Sequence, residues 1–583
     1  MGRPSSGRLV ETPSATCGDL MRHDRRAFLG SVFAGAAVAG IGELGLSNSS
    51  LGRSVATLQG ADRMGDRERR ELIAEARFGR KSLAQSTTGM AITSHPLATR
   101  EAVNVLRSGG NACDAALCVA ITQTVIQPHL VGVTGYLTLT YYDAASGTTM
   151  YVDGSANVPL GAEEADGTPE SWGGAGVPGF WAGFEESLAR FGTKSKKELM
   201  APAIRYARDG FETHPFLWGE IFMESEKIGR SDAGLKIYMP DNAIPRPGEM
   251  LYQAEAADTL ERLAERGNEY FYRGDFAAEF CRISQAGGRN VTRQDMERYE
   301  ATTEQAAASS YRGFEVRALP RAFRTFNGYS LPVITETLDV LEFLDISAQG
   351  PPTESPETMY QMIRSLTIVE GDYRRQDTSD LDPQELARRR LEQLRAGETA
   401  SVTLFDSLPE DTCAVTVADE QGNVACLVHS SNQAPFETGL WVGGINLCSL
   451  RVYGGNPGER GLVGPGGMIV FRDGAPFLAG GSPSRSLSQC MLQNAVNIMD
   501  FAMPIEESVN RPRYGGPIRD RITIEKDYDP GVRGAVEQRG IDFDVINPWS
   551  LYHGSFEGIH FEPGSGTMSA CGDPRRCSKA EGL

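Results

Sequence analysis

Positive charge is in short supply. Lys and Arg number 57 against 76 Asp and Glu, which gives a net charge of −19 and a pI near 5.0. A chain of that sign offers a phosphate backbone no electrostatic footprint, which excludes nucleic acid as a partner. It does not imply a cationic substrate, because bulk charge reports mostly on solubility. A long apolar run is missing as well: the uncharged stretch Ser31 to Gly42 is too short and too rich in Gly and Ala to cross a bilayer, so no integral membrane span is expected. Phosphate loops, metal motifs and nucleic-acid motifs are lacking, and the ten cysteines do not stand at metal-ligand spacings. No metal and no cofactor is therefore expected.

What is present is ample. The 583 residues, 40% hydrophobic and 23% charged, suffice for one large domain or two. The first 80 residues differ from the rest. Asp24-Arg25-Arg26-Ala27-Phe28-Leu29-Gly30 precedes the Ser31–Gly42 run, the pattern of an export signal, and the Arg pair before Phe-Leu resembles a twin-arginine signal. The plainer alternative is a flexible basic tail. Ser54-Val55-Ala56 is a possible processing site, so residues 1–56 read as signal and leader, and 57–80 as a polar, partly helical linker. Export to the periplasm would permit disulfides, but a twin-arginine substrate folds before export, in a reducing compartment. Cys571 and Cys577 flank a turn and could pair; most cysteines read as small buried apolar residues.

Along the chain, residues 88–93 and 136–153 read as strands. Pro96 to Leu106 and Asn111 to Ile126 read as helices, the second apolar all round and hence buried. Further helices are expected at 178–188, 195–210, 257–267, 334–345 and 357–373, with a short one from an N-cap at Thr292 and a charged amphipathic one at 381–395. Residues 396–411 read as an exposed loop. Short strands follow at 440–447, 467–472 and 476–479, then a helix from about Ser486 to Phe501. Strands and helices interleave without a βαβ repeat, which predicts a layered α+β fold.

The stretch with the most chemistry is Asp411 to Asn432. Residues 413–418 and 424–429 are β-prone, and Asp419 to Asn423 carries turn residues, with Gly422 and Asn423 able to take positive φ. A hairpin symmetric about Gln421 sets Ser430 opposite Thr412, about 5 Å away. Asn432 falls just past the ladder. His429 and Cys413 point to the other face of their strands. Two hydroxyls and a carboxamide then converge without a base. Cutting the chain before Thr412 would supply one: an α-amine of pKa about 8 beside its own Oγ. Taken alone, the stretch is more plainly an ordinary surface hairpin that happens to carry a Thr.

The run Thr-x-x-x-x-Val-x-Asp-x-x-Gly-Asn resembles the start of the small subunit of gamma-glutamyltransferases, self-cleaving N-terminal-nucleophile hydrolases. The resemblance spans roughly residues 80 to 583. It includes Gly89-Met90-Ala91, Ser94-His95-Pro96-Leu97-Ala98, Gly109-Gly110-Asn111-Ala112-Cys113-Asp114-Ala115-Ala116, Gln127-Pro128-His129, Thr259-Leu260-Glu261-Arg262, Phe271-Tyr272-Arg273-Gly274, Arg511-Pro512-Arg513 and Gly572-Asp573-Pro574-Arg575. It implies a four-layer αββα sandwich, with a large-subunit region 81–411 and a small-subunit region 412–583 made from one precursor by scission between Asp411 and Thr412.

The resemblance also implies roles. Thr412 is nucleophile and N-terminal base, supported by Ser430 and Asn432. An oxyanion hole falls at the backbone of Ser484 and Arg485, although Gly481-Ser482-Pro483 is followed by one residue fewer than the family has; a simple helix N-terminus is the alternative. The substrate pocket departs further. Ser155 stands in the place of the family's carboxylate-binding Arg, Val463-Gly464 replaces a Ser pair, and Arg451 appears where an acidic residue holds the substrate amine. A buried ammonium without a carboxylate partner is costly, so standard γ-glutamyl specificity is not expected. Arg451, Arg485 and Ser155 are candidates for binding another small amide substrate; the alternative for the two arginines is an ordinary surface position. His95 and His129 read as structural, and Gly132 and Gly135 as shaping a turn near the pocket. The expected activity is an amidase or acylase working through an acyl-threonine. Two alternatives are a gamma-glutamyl enzyme with a rebuilt pocket and a catalytically silent homologue that binds a ligand.

Overall fold

The computed structural model describes residues 66–161, 176–320, 332–374, 382–397, 412–432, 436–450, 452, 456–461, 464, 466–484, 486–518 and 521–583. The chain divides at Arg63/Met64, and everything described lies in the second unit. The export signal, the loop before Thr412, and Asp411, Arg451, Val463 and Arg485 fall outside the described residues.

Two seven-stranded sheets form the centre. One runs, in spatial order, Leu83–Ser86, Met568–Cys571, Glu557–Phe561, Ala475–Gly481, Met468–Arg472, Phe314–Ala318, Ala307–Tyr311. The other runs Lys579–Gly582, Met90–Thr93, Cys413–Ala418, Val424–Ser430, Tyr136–Asp143, Thr148–Gly154, Thr302–Gln305. Every pairing within these two sheets is antiparallel. They stack face to face over an apolar layer in which Met90, Ile92, Ala418, Val424 and Cys426 meet Ile469, Phe471, Ala479, Ile559 and Ala570. Thr416 Oγ1 donates across the gap to the Glu557 carbonyl at 2.6 Å, and Thr140 Oγ1 to the Gly467 carbonyl at 3.0 Å.

Helices cover both outer faces. Pro96–Arg107, Ala112–Ile126, Phe180–Phe191, Lys196–Asp209 and Ala254–Arg266 share one core with the hairpin sheet; Pro332–Leu341, Pro356–Arg374, Leu487–Met499 and Pro530–Glu537 share another with the first sheet. The fold is the αββα sandwich expected. Ala112–Ile126 is buried over its whole length, as an apolar composition without a polar face requires. It starts in a capping box between Asn111 and Asp114, and Thr292 caps Arg293–Glu297 in the same way.

Nine cysteines are described, all buried free thiols. Pairing of Cys571 with Cys577 does not occur: Cys571 Sγ instead lies 3.6 Å from the Lys81 carbonyl, and Cys577 packs with Cys413, Leu130 and Val131. Asn423 does not take positive φ; in the turn only Gly422 does, at +86°.

Candidate active site

The hairpin Cys413–Ala418/Val424–Ser430 pairs Cys413 with His429 and Ala418 with Val424, a register that carries on to set Thr412 against Ser430. The turn is tied down by Asp419. Its Oδ1 accepts from the amides of Gln421 and Asn423 at 3.0 Å each, and its Oδ2 accepts from Asn423 Nδ2 at 2.9 Å and from the Ala112 amide at 2.8 Å. That last bond also serves an otherwise unpaired N–H of the first turn of the buried helix, where a negative charge is favoured.

At the strand end, Thr412 Oγ1 donates to Ser430 Oγ at 3.0 Å, and the Asn432 amide donates to the same oxygen at 2.8 Å. Asn432 sits just beyond the strand with φ +72°, a left-handed turn that Asn tolerates. All three residues are buried. Gly135 makes this approach possible: the Gly132–Gly135 turn closes with a 2.9 Å bond, and a Cβ on Gly135 would lie 2.2 Å from the Ser430 carbonyl oxygen.

Alternation puts His429 and Cys413 on the far face. His429 Nε2 is bonded to Gln123 Oε1 at 2.8 Å, and burial pushes its pKa down to about 3, so the ring is neutral and turned away from Thr412. Cys413 lies 3.6 Å from Gln127 Oε1 in a small apolar cluster. His95 and His129 belong to a buried trio with His214, ring centroids 4.9 and 5.8 Å from the latter, and burial holds all three below the usual imidazole range. Among the described residues no group of acidic, Cys and His side chains could hold a metal ion.

Sequence reasoning missed Tyr136. It pairs directly with Ser430 from the neighbouring strand, on the same face as the Thr412 and Ser430 hydroxyls. The available signal was its place beside Gly135 in the turn already read as pocket-forming. Ser155 lies one layer out. Its Oγ accepts from the Gly464 amide at 2.7 Å, and Gly464 in turn lies against the Tyr136 ring. The Asp153 carboxylate next to it is paired with Arg460 at 2.8 Å. Arg460 also donates to Asn157 Oδ1 and, at 2.8 Å, to the Glu300 carbonyl.

The Ala475–Gly481 strand ends above the hairpin. A Cβ on Gly481 would lie 3.3 Å from Val428 Cγ2 and 3.4 Å from Ala414 Cβ, the residues one step along the same face from Ser430 and Thr412. From there the chain turns through Ser482 and Pro483 to Ser484, which has φ +82° and donates its hydroxyl to the Tyr552 carbonyl at 2.7 Å. The helix begins at Leu487, with Ser486 at the cap position making no side-chain cap bond.

Two motif arginines are structural. Arg513 pairs with Asp573 at 2.6 Å, while Arg575 pairs with Glu525 at 2.6 Å and Asp573 at 3.2 Å, all fully buried.

The model of the gamma-glutamyltranspeptidase family matches residues 98–449 and 451–583. The chain is 25% identical to the glutathione hydrolase proenzyme of Bacillus subtilis (strain 168) over 543 residues, covering 85% of this chain and 91% of the relative. It is 28% identical to the acylase ACY 1 proenzyme of Pseudomonas sp. (strain V22) over 539 residues, covering 84% and 93%. Among solved structures, cephalosporin acylase from Bacillus halodurans superimposes with a TM-score of 0.74 at 21% identity, covering 87% of this chain and 97% of that one.

Proposed function

The chain belongs to the gamma-glutamyltranspeptidase family, and from that premise we propose that it is a self-processing amide hydrolase or acyltransferase. Scission between Asp411 and Thr412 frees the Thr412 amine. Thr412 Oγ1 then forms an acyl intermediate, with Ser430 and Asn432 holding the oxygen in place. The observation that carries this reading is the 3.0 Å bond from Thr412 Oγ1 to Ser430 Oγ at the buried strand end. A hydroxyl with its neighbouring α-amine is an established nucleophile–base pair. Ser484 and Arg485 are assigned the oxyanion hole, in keeping with the strand before them ending over the Thr412 face. Relatives named as proenzymes support two subunits from one precursor.

The acyl group is assigned as other than standard γ-glutamyl, with Arg451 and Ser155 near it. Ser155 brings no positive charge, and the neighbouring guanidinium of Arg460 is already committed to Asp153, Asn157 and Glu300. A relative named acylase supports the same choice.

Expression of the full-length chain tests this. The purified wild type should give a fragment beginning at Thr412, and Thr412→Ala a single uncut chain. Cleaved protein should release amine from dicarboxylate monoamides faster than from γ-glutamyl amides. An uncut, inert wild type would favour the silent homologue, and brisk glutathione turnover would favour the gamma-glutamyl alternative. No helix of the described residues is long and apolar enough to cross a membrane. Export by the twin-arginine route is proposed from Arg25-Arg26-Ala27-Phe28-Leu29; fractionation of the same cells should find the product in the periplasm, and an Arg25→Lys/Arg26→Lys chain should stay inside.

A further inference from the structure

Behind the Thr412–Ser430 pair lies a buried hydrogen-bond relay. The last rung of the hairpin ladder is Cys413 opposite His429, next in sequence to Thr412 and Ser430. Alternation turns both toward the helix Ala112–Ile126. Two amides one turn apart receive them there, Gln123 within the helix and Gln127 at its C-cap. His429 Nε2 meets Gln123 Oε1 at 2.8 Å, and Cys413 Sγ meets Gln127 Oε1 at 3.6 Å. Gln123 Nε2 donates to Ser94 Oγ and to Gln127 Oε1 at 3.0 Å each, and Ser94 Oγ donates to Gln127 Oε1 at 3.1 Å. Ser94, Gln123, Gln127, Cys413 and His429 are all buried.

A backbone carbonyl sets the direction of every bond in the relay. Gln127 Nε2 lies 3.4 Å from the Ser94 carbonyl, which can only accept. Gln127 therefore turns its Oε1 toward Gln123. Gln123 answers with its amide nitrogen, whose two protons go to Gln127 Oε1 and Ser94 Oγ. Its own Oε1 is left facing His429 and can only accept. The imidazole proton therefore sits on Nε2, and the ring is the donor. Burial keeps the ring neutral in that form, with a pKa of about 3. Apolar side chains would fill the same space without fixing a donor–acceptor distance and angle.

We propose that Gln123 and His429 are positioning residues, whose bond clamps the strand end to the helix and so holds Thr412 Oγ1 at its 3.0 Å distance from Ser430 Oγ. The proposal rests on Thr412 being the nucleophile. Both side chains face away from the Thr412 and Ser430 hydroxyls, so each acts through the strand it holds. A slip of about 1 Å in a reacting group can cost about a hundredfold in rate, and a clamp on the adjacent rung guards against such a slip.

Gln123→Met keeps the length of the side chain and removes the acceptor. With γ-glutamyl- and glutaryl-p-nitroanilide as probes, kcat of the processed variant should fall at least about tenfold, with KM within about twofold. The Thr412 fragment should appear more slowly by a similar factor, a readout that needs no added substrate. His429→Leu should behave alike, and His429→Gln, whose amide nitrogen falls where Nε2 was, should recover most of that loss. The double variant Gln123→Met/His429→Leu removes donor and acceptor together, so its melting temperature should rise above that of Gln123→Met while kcat and cleavage stay slow. Wild-type kcat and cleavage in Gln123→Met, or rates that recover with the melting temperature in the double variant, overturn the positioning role and leave Thr412 as nucleophile. A wild type that is neither cut nor active overturns both.

Discussion

Glu557 shows how much one side chain can be asked to bear. Its carboxyl is fully buried, and Oε1 accepts from the hydroxyls of Ser555 and Ser578 at 2.7 Å each. Burial nevertheless dominates and raises its pKa from 4.5 to about 7. A carboxyl raised on folding is held at no penalty below pH 4.5, and its stabilising contribution is lost as pH rises through about 7. Glu557→Gln, which copies the protonated form, should gain about 3 kcal/mol at pH 8, with no gain at pH 4.5. Thermal melts across that range check it, and a gain that does not depend on pH would disprove it. The buried histidines work in the opposite direction. With folded pKa values of about 4 for His214 and about 3 for His429 against 6.5 unfolded, their contribution is present above pH 6.5 and is lost as pH falls toward those values. Which hydroxyls, amides and carboxyls pair was only partly readable from the sequence. Thr412, Ser430 and Asn432 follow from counting along a hairpin. Tyr136 lies 294 residues away in sequence from Ser430, which it pairs with, and follows only from which strand lies next to the hairpin.

At the scale of elements, the hairpin depends on its turn. Asp419 serves four donors, three within the turn and one on the helix Ala112–Ile126. Removing the carboxylate leaves the buried Ala112 amide unpaired, at a cost of about 1–3 kcal/mol, while the turn donors of Gln421 and Asn423 can turn to water. Asp419→Ala should therefore lower stability by about 1–3 kcal/mol and slow the appearance of the Thr412 fragment, because the turn sets the register that aligns Thr412 with Ser430. Denaturant unfolding and a cleavage time course measure the two effects; unchanged cleavage would show that the register is held by the flanking strands instead. Elements with strong periodicity or clear caps were legible, as the helices Pro96–Arg107, Ala112–Ile126 and Leu487–Met499 show. The outer strands were not. Thr302–Gln305 and Ala307–Tyr311 are polar and half-exposed, and their strand character comes from pairing to a sheet edge, not from composition.

On the scale of the whole molecule, the position 411/412 divides the sequence but not the architecture. Each sheet contains strands from both sides: Met90–Thr93 pairs with Cys413–Ala418 on one side and Lys579–Gly582 on the other, and Leu83–Ser86 pairs with Met568–Cys571. Two fragments cut at that point would share both sheets and all the apolar layer between them. They should co-elute in native gel filtration and separate only in denaturant. Fragments that separate without denaturant would contradict the shared-sheet architecture. The buried ion cluster of Arg513, Glu525, Asp573 and Arg575 adds a fixed polar anchor wholly within residues 412–583.

The sequence by itself determined the local facts: helices with caps, the hairpin with its turn, the two hydroxyls that meet across it, and a composition without a metal or nucleic-acid signature. These depend on spacings of a few residues and on propensities that act within one element. The tertiary structure alone decided which strands became neighbours, that Tyr136 pairs with Ser430, that Ser155 is engaged by Gly464, and that the thiols of Cys571 and Cys577 stay apart. Those outcomes follow from the burial of two apolar sheet faces against each other. That burial is a property of the whole chain, and it brings together residues that no local pattern connects.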